Sequence, residues 1–172
     1  MADTNLLAGK KVLIVDDELD ILESLKELLD MCEVVEASSY EQASQLLLKE
    51  NFDIAVLDIM GVNGYGLLDI AHTRGIPSVM LTAHAFTSDN LVRSIKEGAY
   101  AYIPKEELVN IVVYLNDALK AQKEGKNPWK KWEQRLPESY FERKWGAAWK
   151  DKNRDFWNYQ FDSIVKGKDS EN

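Results

Sequence analysis

The sequence predicts an α/β protein: a five-stranded parallel, doubly wound sheet followed by a helical C-terminal extension. Three observations carry that expectation. Residues 11–122 alternate short apolar runs with segments of helical period, the pattern of repeated βα units. Several of the runs are apolar on both faces, as strands covered by helices on either side must be. The residues with chemical potential stand directly after the runs, where the carboxyl ends of parallel strands gather in such a sheet.

The expected strands are Lys11 to Val15, Glu33 to Ala37, Ile54 to Leu57, Ser78 to Leu81 and Tyr100 to Ile103. The second is the most polar and suits an edge. Leu22, Leu25, Leu28 and Leu29 form one stripe on a helix from about Asp20 to Met31. Ser39 with Gln42 makes a capping box ahead of Ala43, Leu46 and Leu47. Gly98 follows Leu91, Val92 and Ile95 where a glycine ends a helix, and Leu108, Val112, Leu115 and Leu119 give the last helix of this region a buried seam. Right-handed crossovers then favour one doubly wound sheet.

With 172 residues, 45% hydrophobic and 29% charged, the chain has room for one full core and an appendage. No window approaches the roughly 18 consecutive apolar residues of a membrane span. Met1-Ala2-Asp3-Thr4-Asn5 is not a basic segment leading into an apolar run, so a cytoplasmic chain is expected. The single cysteine, Cys32, cannot close an internal disulfide; after Leu28, Leu29 and Met31 it suits a small buried hydrophobe, which argues against redox chemistry.

The net charge of −8 is unevenly divided. Residues 1–122 hold 9 Lys and Arg against 20 Asp and Glu, whereas residues 123–172 hold 12 against 9. Two units are therefore expected, 1–122 and 123–172. The acidic body makes nonspecific nucleic-acid binding by that part unfavourable, because such affinity comes mainly from Lys and Arg displacing counterions.

Asp16, Asp17 and Glu18 follow the first strand, Asp58 follows the third, Thr82 ends the fourth and Lys105 follows the fifth. Carboxylates brought within about 4 Å repel by roughly 4 kcal/mol per pair at an effective dielectric near 20, a cost that calls for a cation. Hard oxygen ligands of this kind suit Mg2+. Lys105 and Thr82 would offer a charge and a hydroxyl to a phosphoryl group. Singly, each has a milder explanation: Asp17, Glu18 and Asp20 as helix-start residues, Thr82 as a turn residue, Lys105 as a solvated lysine. Asp58 is harder to explain away, since it ends the apolar run Ile54-Ala55-Val56-Leu57.

The combination of Val12-Leu13-Ile14-Val15-Asp16-Asp17-Glu18, Ile54-Ala55-Val56-Leu57-Asp58, Leu81-Thr82-Ala83 and Tyr102-Ile103-Pro104-Lys105 resembles the receiver domain of bacterial two-component response regulators over residues 9–122. The resemblance implies a flavodoxin-like strand order, 2-1-3-4-5. It implies that Asp58 takes a phosphoryl group from a histidine kinase or phosphotransfer protein, forming an acyl phosphate. It further implies Mg2+ held by Asp17, Asp58 and the backbone carbonyl of Met60, with Asp16 acting largely through water. Lys105, the Thr82 hydroxyl and the Ala83 amide would bind phosphoryl oxygens, and Thr82 with Tyr102 would form a switch that biases the face of the fourth helix, fifth strand and fifth helix. Such a chain is not an enzyme beyond catalysing its own phosphorylation and dephosphorylation. Its partners would be the kinase, a downstream protein and, as a further expectation, a second copy of itself.

One stretch and three single positions depart from the family or bear on the lifetime of the phosphoryl state. The stretch Ile59-Met60-Gly61-Val62-Asn63-Gly64-Tyr65-Gly66 is glycine-rich, which predicts a mobile loop. Glu106 stands where the family commonly has a cis proline. Met60 cannot orient an attacking water, which predicts slow dephosphorylation, and His84 reads either as a second lifetime position or as a plain loop histidine.

All five tryptophans, Trp129, Trp132, Trp145, Trp149 and Trp157, lie in the extension. Asn127-Pro128 predicts a helix start with Trp129, Trp132 and Leu136 on one face. Pro137 begins another turn with Phe141 and Trp145, Gly146 a stop, and a third piece carries Phe156, Trp157 and Phe161. These aromatics either pack on the body and one another or form a surface for a partner, a second copy or a membrane. A transcription regulator with an atypical small DNA-binding output is the alternative function, although no segment reads as a helix-turn-helix. An acyl-phosphate phosphatase is disfavoured, since no second catalytic acid stands near Asp58 and no cap domain is present.

Overall fold

The computed structural model describes residues 5–170, with side chains considered through Val165; Met1 to Thr4, on which the reading of the chain's start depends, lie outside that range. Five parallel strands, β1 (Lys11–Val15), β2 (Glu33–Ala37), β3 (Ile54–Leu57), β4 (Ser78–Thr82) and β5 (Ala101–Pro104), form one sheet in the order β2-β1-β3-β4-β5. β1, β3, β4 and β5 are apolar and almost wholly buried, as central parallel strands require. The more polar β2 takes an edge, its Glu33 and Glu36 exposed.

Helices α1 (Leu19–Leu28), α2 (Tyr40–Lys49), α3 (Gly64–Thr73), α4 (Ser88–Lys96) and α5 (Ile111–Glu124) connect and cover the strands. α1 stops three residues before Met31, and Cys32 sits half-buried after the turn with its Sγ facing the Leu7 carbonyl oxygen. Ser39 Oγ accepts from the Gln42 amide at 3.2 Å, but the Gln42 side chain reaches back to the Ser38 amide, one residue earlier than a strict capping box. Leu108 lies in a 3-10 segment, Lys105–Asn110, ahead of α5, so the buried seam of α5 is Ile111, Tyr114, Leu115, Ala118 and Leu119. The last turn of α5 carries the composition change at residue 123, and Gly125 ends the helix in the left-handed region.

The extension folds as α6 (Trp129–Arg135), α7 (Glu138–Trp145), a π-helical turn (Phe156–Gln160) and α8 (Phe161–Ser170). Asn127 Oδ1 accepts from the Trp129 amide at 2.9 Å, starting α6, and Gly146 ends α7 with φ 91°. Trp129, Trp132, Leu136, Phe141, Trp149, Phe156 and Phe161 are buried in the same apolar cluster as the sheet. Trp145 and Trp157 are half-buried against it, so the aromatic stripes pack on the body and one another. As a free docking surface they would have to be exposed, and they are not.

Candidate phosphoryl-acceptor site

Parallel pairing brings the chemistry to one rim. Val15 pairs with Leu57, so Asp16 and Asp58 follow adjacent strands at the same level, and the Asp58 amide donates to the Val15 carbonyl at 3.0 Å. Asp16, Asp17 and Asp58 each offer a carboxylate oxygen within 4.8 Å of the others. Asp16 and Asp58 are buried and Asp17 is exposed.

Lys105 enters from the end of β5. Its Nζ lies 2.6 Å from Glu18 Oε1, 2.9 Å from Asp16 Oδ2 and 3.5 Å from Asp58 Oδ1. All described peptide bonds are trans, so the ammonium reaches the rim with Glu106 in the position following it and no cis bond. Glu18 is the residue that sequence reasoning undervalued: it reads as a helix-start acid, yet its side chain makes no cap and instead binds Lys105. Its position two residues after Asp16 was the available signal.

One lysine cannot neutralise this many carboxylates. Burial raises the Asp16 pKa. Burial, the Asp16 charge and, less strongly, the Asp17 charge together push the Asp58 carboxyl up to about 7, against the pull of Lys105. Burial works against the Lys105 ammonium, but its pairing with Glu18 and Asp16 outweighs that and holds its pKa above the ordinary lysine value. Asp16 Oδ2 is buried without a hydrogen bond and meets the Lys105 ammonium as an ion pair. An all-oxygen cluster with surplus negative charge fits a hard divalent cation such as Mg2+.

The 59–66 loop is close-packed around this cluster. A Cβ on Gly61 would come within 2.4 Å of Asp17 Oδ2, and one on Gly64 within 2.0 Å of the Asp58 carbonyl oxygen. Gly61 and Gly64 thus answer to close approach. Asn63, at φ 51°, caps α3 by accepting from the Gly66 amide at 3.3 Å. Met60 is exposed beside the rim, as is His84, and the bond from Lys105 lowers the Glu18 pKa.

Thr82 is buried at the end of β4, with its Oγ1 accepting from the Ala85 amide at 3.1 Å, and Ala83 is exposed next to it. Tyr102 is fully buried. Its hydroxyl accepts from the Thr87 amide at 2.7 Å and faces the carbonyl oxygens of Ala85 and Thr87 at 2.8 and 2.9 Å. Its ring stacks on Phe86 at 5.2 Å.

A sequence profile of the response regulator receiver domain matches residues 12–114, ending short of the extension. The chain is 38% identical over 108 residues to the probable transcriptional regulator ycf27 of Guillardia theta, covering 60% of this chain and 42% of that protein. It is 37% identical over 100 residues to the transcriptional regulatory protein CpxR of Klebsiella pneumoniae, covering 55% and 42%. It thus spans less than half the length of these relatives. Among solved structures, a CheY-like receiver domain from Methanospirillum hungatei superposes with a TM-score of 0.62 at 31% identity, covering 67% of this chain and 98% of that one. Strand order, rim chemistry and these likenesses agree: the chain belongs to the response regulator receiver domain family of two-component systems.

Proposed function

We propose that this protein accepts a phosphoryl group on Asp58 from the phosphohistidine of a sensor histidine kinase or phosphotransfer protein and signals through a protein surface. The observation that carries the reading is the gathering of Asp16, Asp17 and Asp58 within 4.8 Å beside a single ammonium, Lys105. One carboxylate oxygen of Asp58 attacks phosphorus, the P–N bond breaks, and the electron pair leaves with the imidazole nitrogen. Lys105 would neutralise the phosphoryl oxygens, and the Thr82 hydroxyl with the Ala83 amide would bind one of them. Asp17, Asp58 and the Met60 carbonyl would hold Mg2+, with Asp16 next to them through water. Bound there, Mg2+ supplies the positive charge that lets an anionic phosphoryl donor approach three carboxylates.

Residues 1–122 would form the receiver unit and 123–172 the annex, in a cytoplasmic protein that acts on no other substrate. Among the described residues no helix is long and apolar enough to cross a membrane. A DNA-binding output is less well supported, because Arg135, Lys144 and Lys152 of the annex are engaged with receiver carboxylates.

The test is incubation with a small phosphodonor and Mg2+, followed by intact mass, for the natural chain and Asp58→Asn. Stoichiometric labelling that disappears in Asp58→Asn is expected. Labelling that survives the substitution overturns the assignment.

A further inference from the structure

The annex grips the receiver at two places, both tied by hydrogen bonds or chain continuity to the acceptor site. The first is the segment from Thr82 to Thr87. Thr82 Oγ1 accepts from the Ala85 amide, the Ala85 carbonyl faces the Tyr102 hydroxyl and the Asn90 side-chain amide, and the Thr87 amide donates to Tyr102. Trp145 donates its indole N–H to the Phe86 carbonyl at 3.0 Å, and Trp132 donates to the Tyr102 carbonyl at 2.9 Å. Phe86 is wedged among Tyr102, Phe141 and Trp145, with ring centroids 4.8 to 6.0 Å away.

The second is Glu106. Its neighbour in sequence, Lys105, holds the acceptor rim, while Glu106 itself binds Lys144 at 2.8 Å and accepts from the Tyr140 hydroxyl. Consecutive residues thus face the site and the annex. Further out, Arg135 pairs with Asp117 and Lys152 with Asp89, so each of these ion pairs sets an annex cation on a receiver carboxylate.

We propose that residues 129–157 are a latch that holds the Thr82–Thr87 segment in its unphosphorylated arrangement and loosens when Asp58 is phosphorylated. The inference rests on the phosphoryl-acceptor reading for what drives the latch. In the resting arrangement the Thr82 hydroxyl only accepts, from the Ala85 amide, and a phosphoryl oxygen on Asp58 would offer its proton a charge-assisted acceptor toward which the side chain turns. When Thr82 turns toward it, the Ala85 amide loses its acceptor and the segment must re-pair. Ala85, Phe86 and Thr87 then shift against Tyr102 and Trp145, and Lys105 drawn to the phosphoryl group pulls on the Glu106 anchor. Coupling of this kind is reciprocal: an annex that favours the resting segment disfavours phosphorylation by the same factor.

The experiment uses the full chain with beryllofluoride or a small phosphodonor and Mg2+, read by hydrogen exchange over residues 82–90 and 129–157 and by intact mass. Labelling accompanied by faster exchange in both segments is expected. Trp145→Phe, which keeps an aromatic side chain but loses the indole N–H donor, should tighten beryllofluoride binding roughly 2- to 10-fold, the worth of one hydrogen bond. Labelling with unchanged exchange at 129–157, or with unchanged beryllofluoride affinity in Trp145→Phe, overturns the latch and leaves the acceptor reading standing. Should no labelling occur, the acceptor reading falls, and the coupling is read from Trp145→Phe alone: unaltered exchange at 82–90 then overturns the latch as well.

Discussion

Gly61 lies so close to Asp17 that a Cβ on it would come within 2.4 Å of the Asp17 Oδ2 atom. Its φ of 86° already disfavours any residue with a Cβ. Gly61→Ala should therefore displace the exposed carboxylate of the cluster, weakening Mg2+ binding on the order of tenfold, with a stability loss of about 1 to 2 kcal/mol. Gly64→Ala meets the Asp58 backbone, which cannot swing aside, and should cost more stability. Titration with Mg2+ and thermal melts of both variants check the order.

The rim was legible in the sequence because it depends on one regularity. Each functional residue follows an apolar run, and parallel pairing sets the ends of β1, β3, β4 and β5 side by side. The annex was half legible. Period and caps marked its helices, but Trp132 finds Tyr102 and Trp145 finds Phe86 across 30 and 59 residues, and nothing local encodes such pairings. Glu106 shows the same limit: its departure from the family's proline is visible in the sequence, while its partners Tyr140 and Lys144 are not.

Asp58 should destabilise the metal-free protein at alkaline pH. Burial and then the Asp16 charge hold its carboxyl at about 7 in the folded state, above the ordinary 3.8. A raised carboxyl pKa means the folded state binds the proton more tightly, so stability is lost as pH rises through 7. In chelator at pH 8, Asp58→Asn should be more stable than the natural chain by roughly 2 to 4 kcal/mol. The gap should narrow as pH falls below 7. Denaturant melts across that range check the sign, and added Mg2+ should shrink the gap by stabilising the natural chain.

Met60, exposed at the rim, offers a thioether that cannot align a water for attack on the acyl phosphate. Met60→Asn supplies a carbonyl and an amide at that place. Dephosphorylation should quicken on the order of tenfold, about 1.4 kcal/mol of barrier. The decay of labelled protein by intact mass decides it, and an unchanged half-life removes Met60 from any role in lifetime.

Phe141 joins the two halves of the molecule. It is buried at 2% exposure and its ring lies 5.0 to 6.0 Å from those of Phe86, Trp132, Tyr140, Trp145 and Trp149. Phe141→Ala leaves a cavity among rings held by one another, which have little freedom to collapse into it, so the loss should reach about 3 to 5 kcal/mol. Tyr159→Ala, at a 72% exposed position in the same annex, should stay within about 0.5 kcal/mol. Where the loss appears distinguishes two kinds of annex. If residues 129–157 open as a local unit, exchange in Phe141→Ala quickens there and over 82–90 while β2 and α2, at the far edge of the sheet, keep their protection. If annex and sheet unfold only together, protection falls everywhere by the same factor, because every amide then reports the same global opening.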